Sequence, residues 1–367
     1  MIPTRPCIMT IDLDAITNNI KLYESVTNKT VFGVVKANAY GHGDIMIARH
    51  LESLGIRVLC VSSLDEALHL YKHGITADIL IFGPTDPQAI ALYHKPQFIY
   101  TLTSMEYFKR LSDDMQQVRF HIEVNTGMNR LGFKEVEEIK EVLDTTPHII
   151  EGIYTHFSSA DEVSDFTDTQ AKRFESILNT LDYPFKWIHA GNSHGSISYQ
   201  NPSVNAQRIG IGMYGYVEPN MFEAFSLKLK LAMKLETMIV HIDSLRKGEP
   251  VGYNRTFHAD QDMLFGTLPI GYADGLNPLN QRLPFKVGKR NMPILGKICM
   301  DQTMIQVNSS DSVGDWVEIV GPNRSLYEIA QHTDTIPYVV MAQLNDRITR
   351  KYVSHGEVIA TINIQNN

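Results

Sequence analysis

Eight short runs of apolar and β-branched residues recur between residues 31 and 210, and this recurrence constrains the fold more than any other feature of the sequence. The segments between the runs have helical periodicity. The segment 44–54, for example, begins with Asp44 at an N-cap position and stops at Gly55. The runs are 31–36, 58–63, 78–83, 97–101, 118–124, 149–157, 186–191 and 204–210. Strands that alternate with helices predict an α/β fold, and eight of them predict a (β/α)8 barrel of the TIM type. An open parallel sheet of eight strands is the structural alternative.

The pattern changes after about residue 222. Leu227, Leu229 and Leu231 alternate with two lysines, which is the period of a half-buried strand. Further β-like runs follow, with two short helices predicted at 326–332 and 338–346. We therefore expect a barrel over 11–225 and a mainly β C-terminal domain over 226–367. The leading segment 1–10 reads as a strand that packs with the C-terminal domain.

Composition narrows the class of protein. The chain of 367 residues has a net charge of −8 and no basic stripe, which disfavours a nucleic-acid partner. Three scattered cysteines are too few for a disulfide framework or a zinc cluster, and no metal site is predicted. From the opening residues we expect no targeting leader, and no apolar run of the sequence is long enough to span a bilayer. We expect a cytoplasmic protein with no membrane partner.

Reactive residues stand where barrel strands are predicted to end, which is where TIM barrels place their active sites. Lys36 ends the first strand, and burial there would lower its pKa and make the amine a nucleophile for a Schiff base. A side chain that reaches into solvent is the alternative for an isolated strand-end lysine. Ser193, Gly210 and Ile211 follow strands seven and eight, the usual phosphate site of this fold. Together these residues suit a cofactor that is a phosphorylated aldehyde.

The segment VVKANAYGHG (34–43) closely resembles the pyridoxal-phosphate (PLP) lysine signature of the alanine racemase family. The resemblance continues in family order over almost the whole chain. The further motifs are TGMNRLG (126–132), THFSSAD (155–161), GNS (191–193), RIGIGMYG (208–215), VGYNRT (251–256), LPIGYADG (268–275), CMDQ (299–302) and PY (337–338). The resemblance implies a barrel, a β domain, and a head-to-tail homodimer in which each active site joins the barrel of one subunit to the β domain of the other.

The resemblance also implies residue roles. Lys36 would carry PLP, Arg208 would face the pyridine nitrogen, and Tyr253 of the partner subunit would be the second catalytic base. His156 would lie between Tyr253 and Arg208. The phosphate would be held by Tyr40, Ser193, Gly210, Ile211 and Tyr338, with Asn192 also at the cofactor.

The substrate contacts follow from the same resemblance. Arg130 would bond the phenolic oxygen of the cofactor and orient the substrate carboxylate, which the Met300 backbone would also contact. Tyr272 would line the entrance. Met300 and Tyr338 would narrow the pocket toward alanine, yet serine differs by one hydroxyl and such a pocket rejects it only modestly.

These roles suit racemisation. Inverting Cα requires a proton to leave one face and arrive on the other, so two acid–base groups must flank the substrate, and Lys36 and Tyr253 supply them. Each has an ordinary pKa of about 10, which must fall for work near neutral pH. Arg208 does not readily give up its proton, so the pyridine nitrogen opposite it stays unprotonated and the cofactor withdraws electrons less strongly.

The sequence departs from the family at Glu123. Many members have a carbamylated lysine seven residues before the arginine of TGM-x-R, and Glu123 occupies that position here. We expect this carboxylate to replace the carbamate and to accept hydrogen bonds from Arg130. Alternatively, Glu123 points elsewhere and an anion or water fills the gap.

Three other functions compete. A basic-amino-acid decarboxylase of the same architecture would use a carboxylate, not Arg208, at the pyridine nitrogen. A PLP-binding homeostasis protein would consist of a lone barrel and would lack the domain that carries Tyr253 and Met300. A racemase-like paralogue that acts on serine or on a broader range of amino acids is the alternative that the sequence discriminates against least.

Overall fold

A computed structural model describes residues 4–111, 117–162, 165–217 and 228–363. These residues form two compact units. The β unit comprises the described residues of 1–14, 40–43 and 231–367, and it contains the first strand, β1 (Cys7–Asp12). The barrel unit comprises 15–39 and the described residues of 44–230. The boundary expected at 225/226 and the expected strand residue Leu227 lie outside the described residues.

The barrel unit is a closed parallel barrel of eight strands. They are β2 (Thr30–Val34), β3 (Val58–Val61), β4 (Asp78–Ile81), β5 (Phe98–Leu102), β6 (Arg119–Val124), β7 (Ile149–Thr155), β8 (Trp187–His189) and β9 (Ala206–Ile209). Each strand pairs with the next, and β9 pairs with β2, with Ala206 opposite Thr30. The barrel prediction is therefore confirmed, and the open-sheet alternative is wrong. Because the strands are parallel, closure of the barrel brings the carboxyl ends of all eight strands to the same rim.

Helices follow the strands because polar caps start them and apolar stripes cover the barrel. The side chains of Ser63, Asp86 and Ser104 each accept a hydrogen bond from a first-turn backbone N–H. The helices are α1 (Leu13–Thr27), α2 (Asp44–Ser53), α3 (Leu64–Lys72), α4 (Pro87–Tyr93), α5 (Met105–Lys109), α6 (Val136–Thr145), α7 (Asp165–Thr180) and α8 (Gly195–Ser198). None of the helices in the described ranges is long and apolar enough to cross a membrane.

The β unit contains three sheets. Its remaining strands are β10 (Met233–Met238), β11 (His241–Leu245), β12 (Pro250–Val251), β13 (Phe257–His258), β14 (Met263–Leu268), β15 (Phe285–Val287), β16 (Arg290–Met292), β17 (Thr303–Val307), β18 (Trp316–Val320), β19 (Thr349–Ser354) and β20 (Glu357–Ile362). The largest sheet has the order β16-β15-β18-β10-β1-β19-β20. Strand β1 lies at its interior, antiparallel to β10 and parallel to β19. Two helices, α9 (Leu326–His332) and α10 (Pro337–Ala342), belong to the same unit.

Two secondary-structure elements are shorter in the structure than the sequence predicted. Residues 228–232 are not in a strand, and β10 begins at Met233. The side chain of Asn19 bonds both backbone groups of Lys230, at 2.8 Å each, so Lys230 has no backbone groups left for a neighbouring strand. Helix α10 ends at Ala342, short of residue 346, because Asn345 bonds the backbone of Ala273 and Asp274 instead.

An ion cluster ties three barrel strands together near their amino ends. Arg119 on β6 bonds both carboxylate oxygens of Asp78 on β4, at 2.6 and 2.7 Å. It also bonds both oxygens of Glu151 on β7, at 2.9 and 2.8 Å. Burial raises the pKa of Glu151, but the neighbouring His121 imidazole and these Arg119 hydrogen bonds outweigh it and lower the pKa to about 2.

Substituting Glu151→Gln is expected to destabilise the barrel in a pH-dependent way. A lowered folded-state pKa contributes stability that is complete above the ordinary value of 4.5 and is lost as the pH falls toward 2. At neutral pH the shift corresponds to about 3 kcal/mol. Denaturant unfolding of the wild type and the variant should show a stability gap that narrows from about pH 5 to about pH 3. A gap that is constant over this range would contradict the assignment.

Candidate active site

Lys36 follows β2, but the strand ends at Val34, two residues earlier than the sequence suggested. The chain turns because Ala37, Asn38 and Ala39 are all left-handed, with φ of 53°, 53° and 51°. This conformation costs about 1–2 kcal/mol per non-glycine residue, so the surrounding structure must hold it. The strain is localised at the proposed cofactor lysine.

Glu66 on α3 is one group that holds this turn. Its carboxylate accepts hydrogen bonds from the backbone N–H of Ala37 and of Ser62, both at 2.7 Å. The Asn38 side chain closes the turn by accepting from the backbone N–H of Asp44 at 2.9 Å. The turn after Lys36 is thus held by a residue that is distant in sequence, since Glu66 lies 29 residues beyond Ala37.

The amine of Lys36 is tuned for nucleophilic chemistry. Burial lowers its pKa, and the nearby positive charge of Arg130 lowers it further, while Glu66 opposes the change. A lowered pKa increases the fraction of neutral amine near neutral pH, and the neutral amine is the form that attacks a carbonyl.

Arg208 is buried on β9 and is surrounded by acceptors that carry no charge. Its Nη1 lies 2.7 Å from His189 Nδ1, and its Nη2 donates to the carbonyls of Thr155 and Ala190 at 2.9 Å each. Nη2 also lies 3.2 Å from His156 Nδ1. Arginine only donates hydrogen bonds, so both imidazole nitrogens are acceptors.

His156 directly follows β7, in surroundings that favour the neutral imidazole. Burial lowers its pKa well below the ordinary value, and the positive charges of Arg208 and Arg130 act in the same direction. Its Nδ1 accepts from Arg208, so its Nε2 carries the proton and is a hydrogen-bond donor.

The loops after β8 and β9 meet at Ser193. Its hydroxyl oxygen accepts hydrogen bonds from the backbone N–H of Gly210 and of Gly212, at 3.1 and 3.0 Å. Asn192 supports this loop by accepting from the Gly195 N–H at 2.8 Å. Ile211 stands between the two glycines and starts a short 3-10 helix, Ile211–Tyr214. A serine hydroxyl with clustered backbone amides is a donor set that fits a phosphate group.

Glu123 is buried on β6, and its contacts differ from the expectation. Its carboxylate accepts a hydrogen bond from the Tyr154 hydroxyl at 3.2 Å, whereas Arg130 is exposed and forms no hydrogen bond with any residue the structure describes. Asn129 has a φ of 56°, and this left-handed turn carries Arg130 outward. Burial raises the pKa of Glu123, and the charges of Arg130 and Arg208 oppose this.

The remaining predicted residues belong to the β unit. Tyr253 is 69% exposed, and Met300 and Tyr272 are also exposed. Tyr253 and Met300 line a pocket of about 760 Å³. Backbone hydrogen bonds from Tyr272 to Cys299 and from Ala273 to Met300 join the two loops. An exposed aromatic and apolar group of this kind is typical of an interaction surface.

Tyr40 and Tyr338 lie together within the β unit, with ring centroids 6.1 Å apart. The structure therefore groups the predicted residues into two sets. Lys36, Glu123, Arg130, His156, Asn192, Ser193, Arg208, Gly210 and Ile211 are in the barrel unit, and Tyr40, Tyr253, Tyr272, Met300 and Tyr338 are in the β unit.

Sequence reasoning missed three residues around Arg208. His189 bonds it directly, and the Tyr154 ring lies below it, 5.0 Å from the guanidinium carbon. His121 bonds His189 at 2.8 Å. The sequence did carry a signal for these residues, because each is a polar or aromatic residue on an otherwise apolar barrel strand. A buried polar side chain must find a hydrogen-bond partner within the barrel.

Family models match both units of the chain. The alanine racemase N-terminal domain matches residues 11–218, and the alanine racemase C-terminal domain matches residues 232–352. An alanine racemase from Geobacillus stearothermophilus is 36% identical over 368 residues, covering 96% of this chain and 95% of the relative.

Solved structures agree with the family models. An alanine racemase from Bacillus anthracis with bound L-Ala-P has a TM-score of 0.92 at 33% identity and covers 100% of both chains. One from Bartonella henselae with covalently bound pyridoxal phosphate has a TM-score of 0.82 at 26% identity, covering 96% of this chain and 100% of that one. A histidine racemase from Leuconostoc mesenteroides has a TM-score of 0.86 at 27% identity, covering 96% of this chain and 99% of that one.

Proposed function

The chain belongs to the alanine racemase family, and from this premise we propose that it interconverts L-alanine and D-alanine with PLP as its cofactor. The observation that carries the proposal is the arrangement of one barrel rim. There Lys36, with its lowered pKa, shares the strand ends with the buried Arg208 and with the Ser193 hydroxyl and amides. An amine, a cation and a phosphate cradle are what a phosphorylated pyridine aldehyde requires.

We assign the cofactor contacts by residue. Lys36 would bind the aldehyde carbon covalently, and Arg208 would donate a hydrogen bond to the pyridine nitrogen while keeping its own proton. When bound, PLP would delocalise the electron pair left on the substrate Cα after proton removal. Ser193, Gly210 and Ile211 would hold the phosphate, next to Asn192, and the family pattern adds Tyr40 and Tyr338.

Proton transfer would use one residue on each face of the substrate. Lys36 would remove or deliver the Cα proton on one face, because its neutral amine is accessible near neutral pH. Tyr253 of the partner subunit would serve the other face, with the neutral His156 between it and Arg208. Arg130 and the Met300 backbone would orient the substrate carboxylate, and Tyr272 would line the entrance.

A head-to-tail homodimer would complete the site. Support comes from the exposure of Tyr253 and Met300 around a single pocket of the β unit, a surface that a second copy of the chain would cover. Each dimer would then contain two active sites, and each site would use residues of both subunits. By family membership and composition, we place the enzyme in the cytoplasm, where it would supply D-alanine for peptidoglycan.

The function is tested by incubating purified protein and PLP with single L-amino acids. We expect D-alanine from L-alanine, detected by chiral chromatography. D-serine at a comparable rate would instead identify a broad-specificity racemase, and an amine product from a basic amino acid would identify a decarboxylase. No D-product from any small amino acid would contradict racemase activity altogether.

We propose that Glu123 supplies the negative charge that other members place there as a carbamate. Burial raises the pKa of Glu123 and opposes this charge, so support comes from the positive charges of Arg130 and Arg208 and from the hydrogen bond that the Tyr154 hydroxyl donates, all of which favour the carboxylate. The carboxylate forms no direct hydrogen bond with Arg130. It would instead attract Arg130 and Arg208 electrostatically and hold Tyr154 by a hydrogen bond.

Substituting Glu123→Gln should lower kcat for alanine by about 10-fold, since an outer contact of this kind typically costs that much. The substitution keeps the shape of the side chain and removes only the charge. Glu135→Gln, at an exposed carboxylate that precedes α6, is the matched control and should leave kcat unchanged. Wild-type kcat in Glu123→Gln without added chloride would contradict the proposal. Restoration by chloride alone would mean that any bound anion suffices.

A further inference from the structure

A line of polar side chains leads from Arg208 into the interior of the barrel. Arg208 Nη1 lies 2.7 Å from His189 Nδ1, and His189 Nε2 lies 2.8 Å from His121 Nδ1. His121 Nε2 lies 3.7 Å from the carboxylate of Glu151, which is longer than a hydrogen bond but within electrostatic contact. His121 and His189 are both fully buried. The cofactor end of the barrel is thus connected to the ion cluster of Arg119, Glu151 and Asp78.

Hydrogen-bond chemistry permits one proton arrangement along this line. Arg208 has only donors, so His189 Nδ1 must accept and its proton must lie on Nε2. His189 Nε2 therefore donates to His121 Nδ1, which places the His121 proton on Nε2, facing the Glu151 carboxylate. Burial lowers the pKa of both histidines, which favours the neutral forms that this arrangement requires. A protonated His189 would have no acceptor to offer Arg208.

The barrel is built around these two imidazoles. A Cβ added at Gly152 would come within 2.6 Å of His121 Cδ2, so the position opposite His121 has room only for glycine. The ring of Tyr154 stacks on His189, with centroids 4.7 Å apart and planes 11° from parallel. The same ring lies under the guanidinium of Arg208. The rings are thus fixed in orientation as well as in protonation.

We propose that His189 and His121 are positioning residues that hold Arg208 through a single tautomeric chain ending at Glu151. His189 takes one N–H of Arg208 and, together with the carbonyls of Thr155 and Ala190, fixes the orientation of the guanidinium. The inference rests on the proposed function for the identity of the group that Arg208 faces. It assigns roles to two buried residues that are not among the proposed cofactor and substrate contacts.

The first test compares His189→Asn with His189→Leu. Asparagine places an oxygen acceptor close to the position of Nδ1, whereas leucine fills the buried space but accepts no hydrogen bond. We expect His189→Leu to lower kcat by about 10- to 100-fold and to weaken PLP binding in equilibrium dialysis, with little change in KM for alanine. His189→Asn should remain within about 3-fold of wild type in both measurements. If leucine performs as well as asparagine, the role is packing alone and the proposal is wrong.

The second test measures the tautomers directly in wild-type protein without cofactor. Nitrogen-15 NMR of histidine-labelled protein distinguishes Nδ1–H from Nε2–H imidazoles, and the signals are assigned by their loss in His189→Asn and His121→Gln. We expect the neutral Nε2–H form for both residues at neutral pH. An Nδ1–H or doubly protonated form of either residue would overturn the proposal, whether or not the leucine variant folds. This measurement needs neither PLP nor substrate, so its failure is distinguishable from failure of the proposed racemase activity.

Discussion

Substituting Lys36→Ala is expected to abolish covalent attachment of PLP and to lower racemisation by at least about 10³-fold, because one residue serves as both cofactor anchor and base. The lowered pKa of Lys36 and its place beside Arg130 and Arg208 are the physical basis for this expectation. Borohydride reduction of the PLP-loaded wild type, followed by peptide mapping, should label Lys36. Formation of D-alanine from L-alanine gives the rate in parallel.

Lys29 provides a matched control for Lys36. It precedes β2, whereas Lys36 follows it, and burial lowers its pKa as well. Lys29→Ala should therefore keep covalent PLP and near-wild-type racemisation, because TIM barrels carry chemistry at the carboxyl ends of their strands. A borohydride label on Lys29, or PLP still covalently bound in Lys36→Ala, would refute the assignment.

Substituting Tyr253→Phe is expected to lower racemisation by about 10²- to 10⁴-fold while leaving PLP bound and the dimer intact. The change removes only the hydroxyl, which is the proposed proton donor and acceptor on the second face of the substrate. Tyr253 lies in the β unit and Lys36 in the barrel unit. The loss of activity should appear in kcat for alanine, and the PLP absorbance should persist.

Mixing the two inactive variants tests whether Tyr253 acts in the partner's site. In a heterodimer of Lys36→Ala with Tyr253→Phe, one shared site would carry both defects and the other would carry none. Random exchange of subunits in an equal mixture should thus restore about a quarter of wild-type activity. If both residues acted within one chain, the mixture would stay inactive. Separate homodimers that are never allowed to exchange serve as the control.

Much of the fold follows from local sequence pattern. Each of the eight apolar runs became a barrel strand, and the helix expected at 44–54 is α2, Asp44–Ser53. The errors occurred where a distant side chain competes for the backbone. Residues 228–232 have the alternation of a strand, but Asn19 takes the hydrogen bonds that a strand at Lys230 would need. A periodic pattern reports burial and gives no information about such a competitor.

The sequence by itself determined the barrel, the family motifs and the lysine proposed to carry PLP, because strand periodicity and short signatures are properties of neighbouring residues. Only the tertiary structure decided the environment of those residues. Arg208 meets Thr155, His156 and His189 after separations of 53, 52 and 19 residues, and Glu123 bonds Tyr154 instead of Arg130. These contacts exist because the closure of parallel strands sets which side chains share the barrel interior. The strand register depends on residues far apart in sequence. The hydrogen-bonded chain from Arg208 through His189 to His121 therefore became apparent only in the tertiary structure.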